Sequence, residues 1–236
     1  MPEVVFLPGF MQHADAWSPV AAAVGERYPS KIVDFSTWTF DGRLAEIEAA
    51  TAAGDVLVGY SMGGRLSLHA ALRAPERYGG LAMVGVSAGI EDPAEGAARV
   101  QADEALAAWI ESSSMEDVVA RWEHNLVFAS QSPALIEAQR PGRLAHSPTD
   151  LAMLLRSAGQ GAMVPVWERL DELRIPVLAL AGENDSKYWE AAQRMRASAE
   201  GRIEARSVPG AGHAAHLEKP RFVADRLIEW LDRQSS

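Results

Sequence analysis

The sequence predicts an α/β fold: a mostly parallel sheet of about six strands, flanked by helices and interrupted by a helical insertion. Three observations carry this. Short apolar runs recur along the chain and alternate with stretches of helical period. A Gly-x-Ser-x-Gly turn at Gly59–Gly63 sits between an apolar run and a helical pattern. Residues 91–167 hold helical periodicity and no strand pattern.

Each element follows from its local pattern. Val4 to Leu7 is an apolar run stopped by Pro8-Gly9, a buried strand entering a loop. Trp17 to Tyr28 has helical spacing, and Lys31 to Phe35 reads as a second strand. Leu44 and Ile47 mark a helix that ends before Gly54. Val56-Leu57-Val58 is a third strand, and Arg65 to Ala74 is the helix after the glycine turn, stopped by Pro75. Leu81–Val86, Pro176–Ala181 and Ile203–Val208 complete the strands. The last helix runs from Pro220, a favourable first helical residue, to Arg233. Within the insertion, Leu106, Trp109 and Ile110, then Val118, Val119 and Trp122, then Leu151, Leu154 and Leu155 repeat at helical spacing. The expected organisation is a core of residues 1–90 and 168–236, with a helical cap over residues 91–167. A cap there would cover the C-terminal edge of the sheet, where open α/β sheets bind ligands.

Composition limits the function classes. Among 236 residues, 22 are Lys or Arg and 32 are Asp or Glu, a formal charge of −10. That balance disfavours non-specific nucleic-acid or anionic-membrane binding. The chain has no cysteine, which excludes disulfides, thiolate metal sites and a cysteine nucleophile. The N-terminus lacks the basic start and apolar core of a signal peptide, and no apolar run reaches transmembrane length. A cytoplasmic protein is expected. The six His residues show no metal-ligand spacing such as H-E-x-x-H, so neither metal nor cofactor is expected. Nothing in the pattern sets an oligomeric state.

The chemistry concentrates at strand ends. In Gly59-Tyr60-Ser61-Met62-Gly63 the serine lies on a sharp strand-to-helix turn, and small residues on either side let strand and helix approach. A serine nucleophile or base needs a histidine and an orienting acid. Asp185 follows one strand in Gly182-Glu183-Asn184-Asp185, and His213 follows another in Pro209-Gly210-Ala211-Gly212-His213. Glu183 is the alternative acid and His216 the alternative base. His13, His69, His124 and His146 read as surface or packing residues, with His13 on a loop that borders the site. Two backbone N–H groups would complete an oxyanion site: that of Met62, after the serine, and that of Phe10, after Pro8-Gly9. Arg65 stands in the first turn of a helix, where a cation opposes the helix dipole, so helix stability does not explain it.

This arrangement resembles the α/β-hydrolase superfamily over nearly the whole chain, with the order Ser, Asp, His. The sheet is expected to start late, without room for the antiparallel hairpin that usually opens that fold. Leu7-Pro8-Gly9-Phe10 replaces the common His-Gly, and Asp34-Phe35-Ser36-Thr37-Trp38 replaces a Gly-His-Gly loop, so a different pocket wall is expected near Trp38. More narrowly, Val58-Gly59-Tyr60-Ser61-Met62-Gly63-Gly64-Arg65, Gly182 to Tyr188, Gly210 to His216, and Val127-Phe128-Ala129-Ser130 resemble the SHCHC synthases of menaquinone biosynthesis. The resemblance implies a lyase that removes a substrate proton and expels pyruvate from an enolpyruvyl ether. It assigns substrate binding to Tyr60, Arg65, Arg99, Trp122 and Arg143. The implied partner is a small anionic substrate, and arginine suits it because the guanidinium fork binds carboxylate bidentately. The competing reading is a serine esterase or thioesterase acting through an acyl-enzyme; a non-catalytic binding protein is a third. Three arginines in the pocket would favour the lyase, and an arginine-free apolar pocket would favour the esterase.

Overall fold

The computed structural model describes residues 2–199 and 201–234. Six strands form one parallel sheet: β1 (Val4–Leu7), β2 (Ser30–Ile32), β3 (Val56–Tyr60), β4 (Gly80–Val84), β5 (Val177–Gly182) and β6 (Ile203–Val208). Their order is β2-β1-β3-β4-β5-β6. All described pairings are parallel, with Val4 opposite Ser30 and Val56, and Val177 opposite Ile203.

Period-two alternation divides each central strand between two apolar layers. Val4, Phe6, Val56, Val58, Leu178 and Leu180 face one side, with α1 (Ser18–Gly25) and α9 (Pro220–Gln234). Val5, Leu7, Leu57, Leu81 and Met83 face the other, with α2 (Phe40–Ala50), α3 (Met62–Arg73) and α8 (Ser186–Ser198). Burial on both faces is why these strands read as unbroken apolar runs.

Two strands end earlier than expected. The second strand lies at Ser30–Ile32 rather than Lys31–Phe35. Its ladder closes with the Val33 N–H donating to the Phe6 carbonyl at 2.9 Å. The partner strand ends at Leu7, and Pro8 after it has no N–H to continue the ladder. The fourth strand stops at Val84 instead of Val86, because Gly85 turns to φ +64° where His213 packs against the backbone. The helix after the glycine turn begins at Met62, three residues earlier than its apolar pattern implied.

Between β4 and β5 lie α4 (Pro93–Glu111), α5 (Met115–Glu123), α6 (Pro133–Leu144) and α7 (Pro148–Ala158). Each starts on a side-chain cap: Asp92, Ser114, Ser132 and Ser147 accept from backbone N–H groups of the first turn. These helices hold a separate apolar cluster of Ala107, Ile110, Val118, Val119, Leu151, Ala152 and Leu155. Met11, from the loop after β1, is buried in that cluster, and Phe10 and Trp122 pack against it. No described helix is long and apolar enough to cross a membrane.

Candidate active site

The turn after β3 sets the first side chain. Ser61 has φ 49° and ψ −110°, a conformation costly for a residue with a Cβ. Its N–H donates to the Val84 carbonyl and its carbonyl accepts from Arg65 N–H, both at 2.9 Å, so backbone bonds hold the strained turn. Glycine is required around it: a Cβ on Gly59 would meet the Gly63 carbonyl oxygen and the Gly64 Cα at 2.6 Å. A Cβ on Gly63 would overlap the Leu7 and Pro8 carbonyl oxygens.

His213 joins Ser61 to Asp185. Its Nδ1 lies 2.7 Å from Asp185 Oδ2, and its Nε2 lies 3.3 Å from Ser61 Oγ. An ionised carboxylate only accepts, so Nδ1 carries the proton and Nε2 is left to accept from the serine hydroxyl. Asp185 sits immediately before α8. The alternatives are otherwise engaged. The Glu183 carboxylate accepts from Gly210 N–H at 2.8 Å. His216 is fully buried, packed between the tilted rings of Trp17 and Tyr60 at 4.4 and 4.2 Å, and burial lowers its pKa to about 3.

His216 and Gln12 shape the loop that carries Phe10. Gly9 N–H donates to Gln12 Oε1 at 3.0 Å, which fixes the amide orientation. Gln12 Nε2 therefore donates to His216 Nε2, 3.3 Å away, and the His216 proton is on Nδ1. Met11 adopts φ 57° in this loop. The N–H groups of Phe10 and Met62 donate to no described residue.

The structure brings every sequence-selected residue to one cavity of about 720 Å³: Phe10, Tyr60, Ser61, Met62, Arg65, Arg99, Trp122, Arg143, Asp185 and His213 all line it. Ser130 also lines it, but Trp38 does not. Trp38 instead packs against Arg43 and His146, so the unusual loop after β2 braces a neighbouring layer rather than the pocket wall. His13 stacks on His146 at 4.1 Å, outside the cavity lining.

The three arginines differ in their partners. Arg65 is buried and donates to the Ala158 carbonyl and the Met163 sulfur, both neutral, at 3.2 Å. Burial lowers its pKa to about 10, which leaves it charged at neutral pH. Arg99 is paired with Asp103 at 2.7 Å and donates to Gln160. Arg143 is buried, donates to Gln139 at 2.7 Å and lies 3.3 Å from Glu123. The Tyr60 hydroxyl is held protonated, because burial, and then its acidic neighbours, raise its pKa well above the ordinary value. Trp122 stands edge-on to Phe10 at 5.4 Å, tying the helical segment to the loop after β1.

Sequence reading missed Gln12, Gln160 and Tyr188, which also line the cavity. Tyr188 carried a signal: it lies three residues after Asp185, one helical turn along α8. Gln160 lies in a loop with no local pattern, and only the fold brings it near.

The chain is similar to known proteins in sequence and in fold. The family model described as alpha/beta hydrolase family matches residues 4–226. A Bacillus subtilis protein, provisionally named 2-succinyl-6-hydroxy-2,4-cyclohexadiene-1-carboxylate synthase, is 35% identical over 74% of this chain, a stretch spanning 65% of that relative. The synthase of the same name from Citrobacter koseri is 31% identical over 98% of this chain and 94% of its own length. The solved structure of MenH from S. aureus superposes with a TM-score of 0.92 at 26% identity, covering 100% of this chain and 95% of that one.

Proposed function

The chain belongs to the alpha/beta hydrolase family, and on that premise we propose that it is a 2-succinyl-6-hydroxy-2,4-cyclohexadiene-1-carboxylate synthase of menaquinone biosynthesis. The observation that carries this reading is the convergence of Arg65, Arg99 and Arg143 on the cavity that holds Ser61 and His213. Arg65 matters most. A buried guanidinium without a carboxylate partner is costly unless a ligand anion completes it. A pocket for neutral esters gains nothing from that cost.

In this reading Asp185 holds the His213 tautomer, and His213 draws the proton from Ser61. The serine oxygen then takes a proton from a substrate ring carbon. The released C–H electron pair enters the conjugated diene as the C–O bond to the enolpyruvyl group breaks. The leaving oxygen keeps that bond's electrons as the enolate of pyruvate, whose methylene carbon takes up a proton as His213 gives up the one the triad has gained, yielding pyruvate. The Phe10 and Met62 N–H groups hold the oxygen on which negative charge develops. Tyr60, Arg65, Arg99 and Arg143 hold carboxylates, Trp122 walls the pocket, and residues 91–167 act as its cap. The enzyme works in the cytoplasm on a small anionic substrate, without a cofactor.

The free Phe10 and Met62 N–H groups also suit acyl transfer, so an esterase is the second reading. A paired assay separates them: pyruvate release from the enolpyruvyl cyclohexene substrate, and hydrolysis of short-chain p-nitrophenyl esters. Rapid pyruvate release that collapses in Ser61→Ala, with feeble ester cleavage, supports the synthase. Rapid ester cleavage without pyruvate overturns it.

A further inference from the structure

We infer that Tyr188 is a further substrate-binding residue, its hydroxyl donating a hydrogen bond to an anionic oxygen of the ligand on the cavity wall shared with Arg65 and Arg99. Only the identity of the full substrate rests on the proposed function; the direction of the hydrogen bonds does not.

Every partner in the chain leading to Tyr188 is committed in one direction. Arg99 has donors alone, so its Nη1 bond of 2.5 Å to Gln160 Oε1 fixes which end of the amide is which. Its Nε donates at 2.7 Å to Asp103, which anchors the guanidinium. Gln160 Nε2 then faces the Tyr188 hydroxyl at 2.7 Å and donates to it. The Tyr188 oxygen is the acceptor in that bond, and its own proton has no acceptor among the described residues. Tyr188 is 7% exposed and lines the cavity. A buried hydroxyl proton without a partner is costly, and here a ligand oxygen is what would satisfy it.

The hydroxyl is also held in place. The Tyr188 ring packs on His213 at 4.5 Å, and Tyr188 shares the first turn of α8 with Ser186, next to Asp185. Both side-chain torsions are therefore set before ligand arrives, which lowers the ordering cost of binding. The Tyr188 O–H joins Arg65 and Arg99 on the cavity lining, and all three are donors there. Such a wall fits a carboxylate, whose two oxygens only accept.

Tyr188→Phe keeps the ring against His213 and removes the donor. Two readouts test it. In pyruvate release, KM is expected to rise roughly 10- to 100-fold, the span for a hydrogen bond to a charged group, while kcat falls by less than about threefold. In calorimetric titration with succinate, a plain dicarboxylate, the wild type binds and Tyr188→Phe binds at least about tenfold more weakly. Gln160→Leu, which leaves the hydroxyl but frees its rotor, is expected to fall between the two. Equal succinate affinity in wild type and Tyr188→Phe overturns the assignment, as does failure of the wild type to bind succinate. So does a loss of kcat and Tm with KM unchanged, which would make Tyr188 a packing residue. If no pyruvate is released by the wild type yet Tyr188→Phe still weakens succinate binding, the synthase reading fails and the Tyr188 assignment stands.

Discussion

The two walls of the cavity are built by different means. The sheet wall presents Ser61, Asp185 and His213 from turns at strand ends, and their positions are set by backbone: a strained φ at Ser61, and glycines at 59 and 63 that admit no Cβ. The helical wall presents Arg99, Trp122 and Arg143 from α4, α5 and α6; pairing with Asp103, Gln160, Glu123 and Gln139 positions the two arginines, and ring contacts with Phe10 and Phe128 position Trp122. The difference teaches where errors are tolerated. Under the proposed function, proton transfer would fail with a displacement of about 1 Å, which suits groups held on backbone that cannot shift. Charge complementarity falls off slowly with distance, so it can sit on long side chains. Damage to the sheet wall should therefore appear in kcat, and damage to the helical wall in KM.

The largest effect should come from Ser61 and His213, if they act as proposed. Ser61→Ala or His213→Ala is expected to lower kcat about 10⁴-fold or more with KM little changed, measured by pyruvate release. A KM effect of similar size would break the contrast between the walls. Next come substitutions that attack each wall's support. Gly63→Ala forces a Cβ into the Leu7 and Pro8 carbonyls and is expected to cost about 3 kcal/mol or more and abolish turnover. Ile110→Ala hollows the core of the helical segment and is expected to cost about 3 kcal/mol by denaturant unfolding. It should leave the Ser61 turn able to act, so kcat in the folded fraction should survive far better than in Gly63→Ala.

Arg65 tests the boundary, since it lies on α3 of the sheet wall but carries charge. Arg65→Met is expected to raise KM roughly 10- to 100-fold and to leave stability unchanged or increased, because the cation has only neutral protein partners. A fall in Tm of more than a few degrees would show that Arg65 supports the fold instead. Glu123→Gln should act in the opposite sense. It leaves buried Arg143 without its carboxylate, costing about 1–3 kcal/mol of stability, while anion binding holds or tightens.

The smallest and broadest effect is pH. Burial lowers the pKa of His146 to about 4, from 6.5. The neutral ring is favoured in the fold, while the unfolded chain takes up a proton below about 6.5. Stability from this residue is complete above pH 6.5 and declines as pH falls toward 4. His216, with its pKa near 3, extends the decline further. Thermal unfolding across pH 4–7 should show Tm falling on acidification, and His146→Phe should flatten part of that slope. An unchanged slope would place the acid sensitivity elsewhere.

Much of this protein was legible in its sequence. Five of the six strands were located to within two residues at either end, because apolar runs buried on both faces leave a local signature. Ser61, Asp185 and His213 were legible for a related reason: each follows a strand, so chain order alone puts them on one edge of a parallel sheet. Arg65 was legible because its place in a first helical turn contradicts the helix dipole. Tertiary structure decided the remainder. Whether His213 or His216 meets Asp185 depends on how the chain turns after Gly212, and both choices satisfy the same sequence pattern. The reach of Arg99 and Arg143 into the cavity depends on how four helices pack over the sheet, which helical periodicity does not encode. The end of β2 was set by Pro8, just past the end of the neighbouring strand and more than twenty positions away in sequence. The direction of the Arg99–Gln160–Tyr188 chain exists only after α4, the loop after α7 and α8 have come together. Local pattern fixes which face of an element is buried; it takes the packed fold to decide which polar atoms meet there.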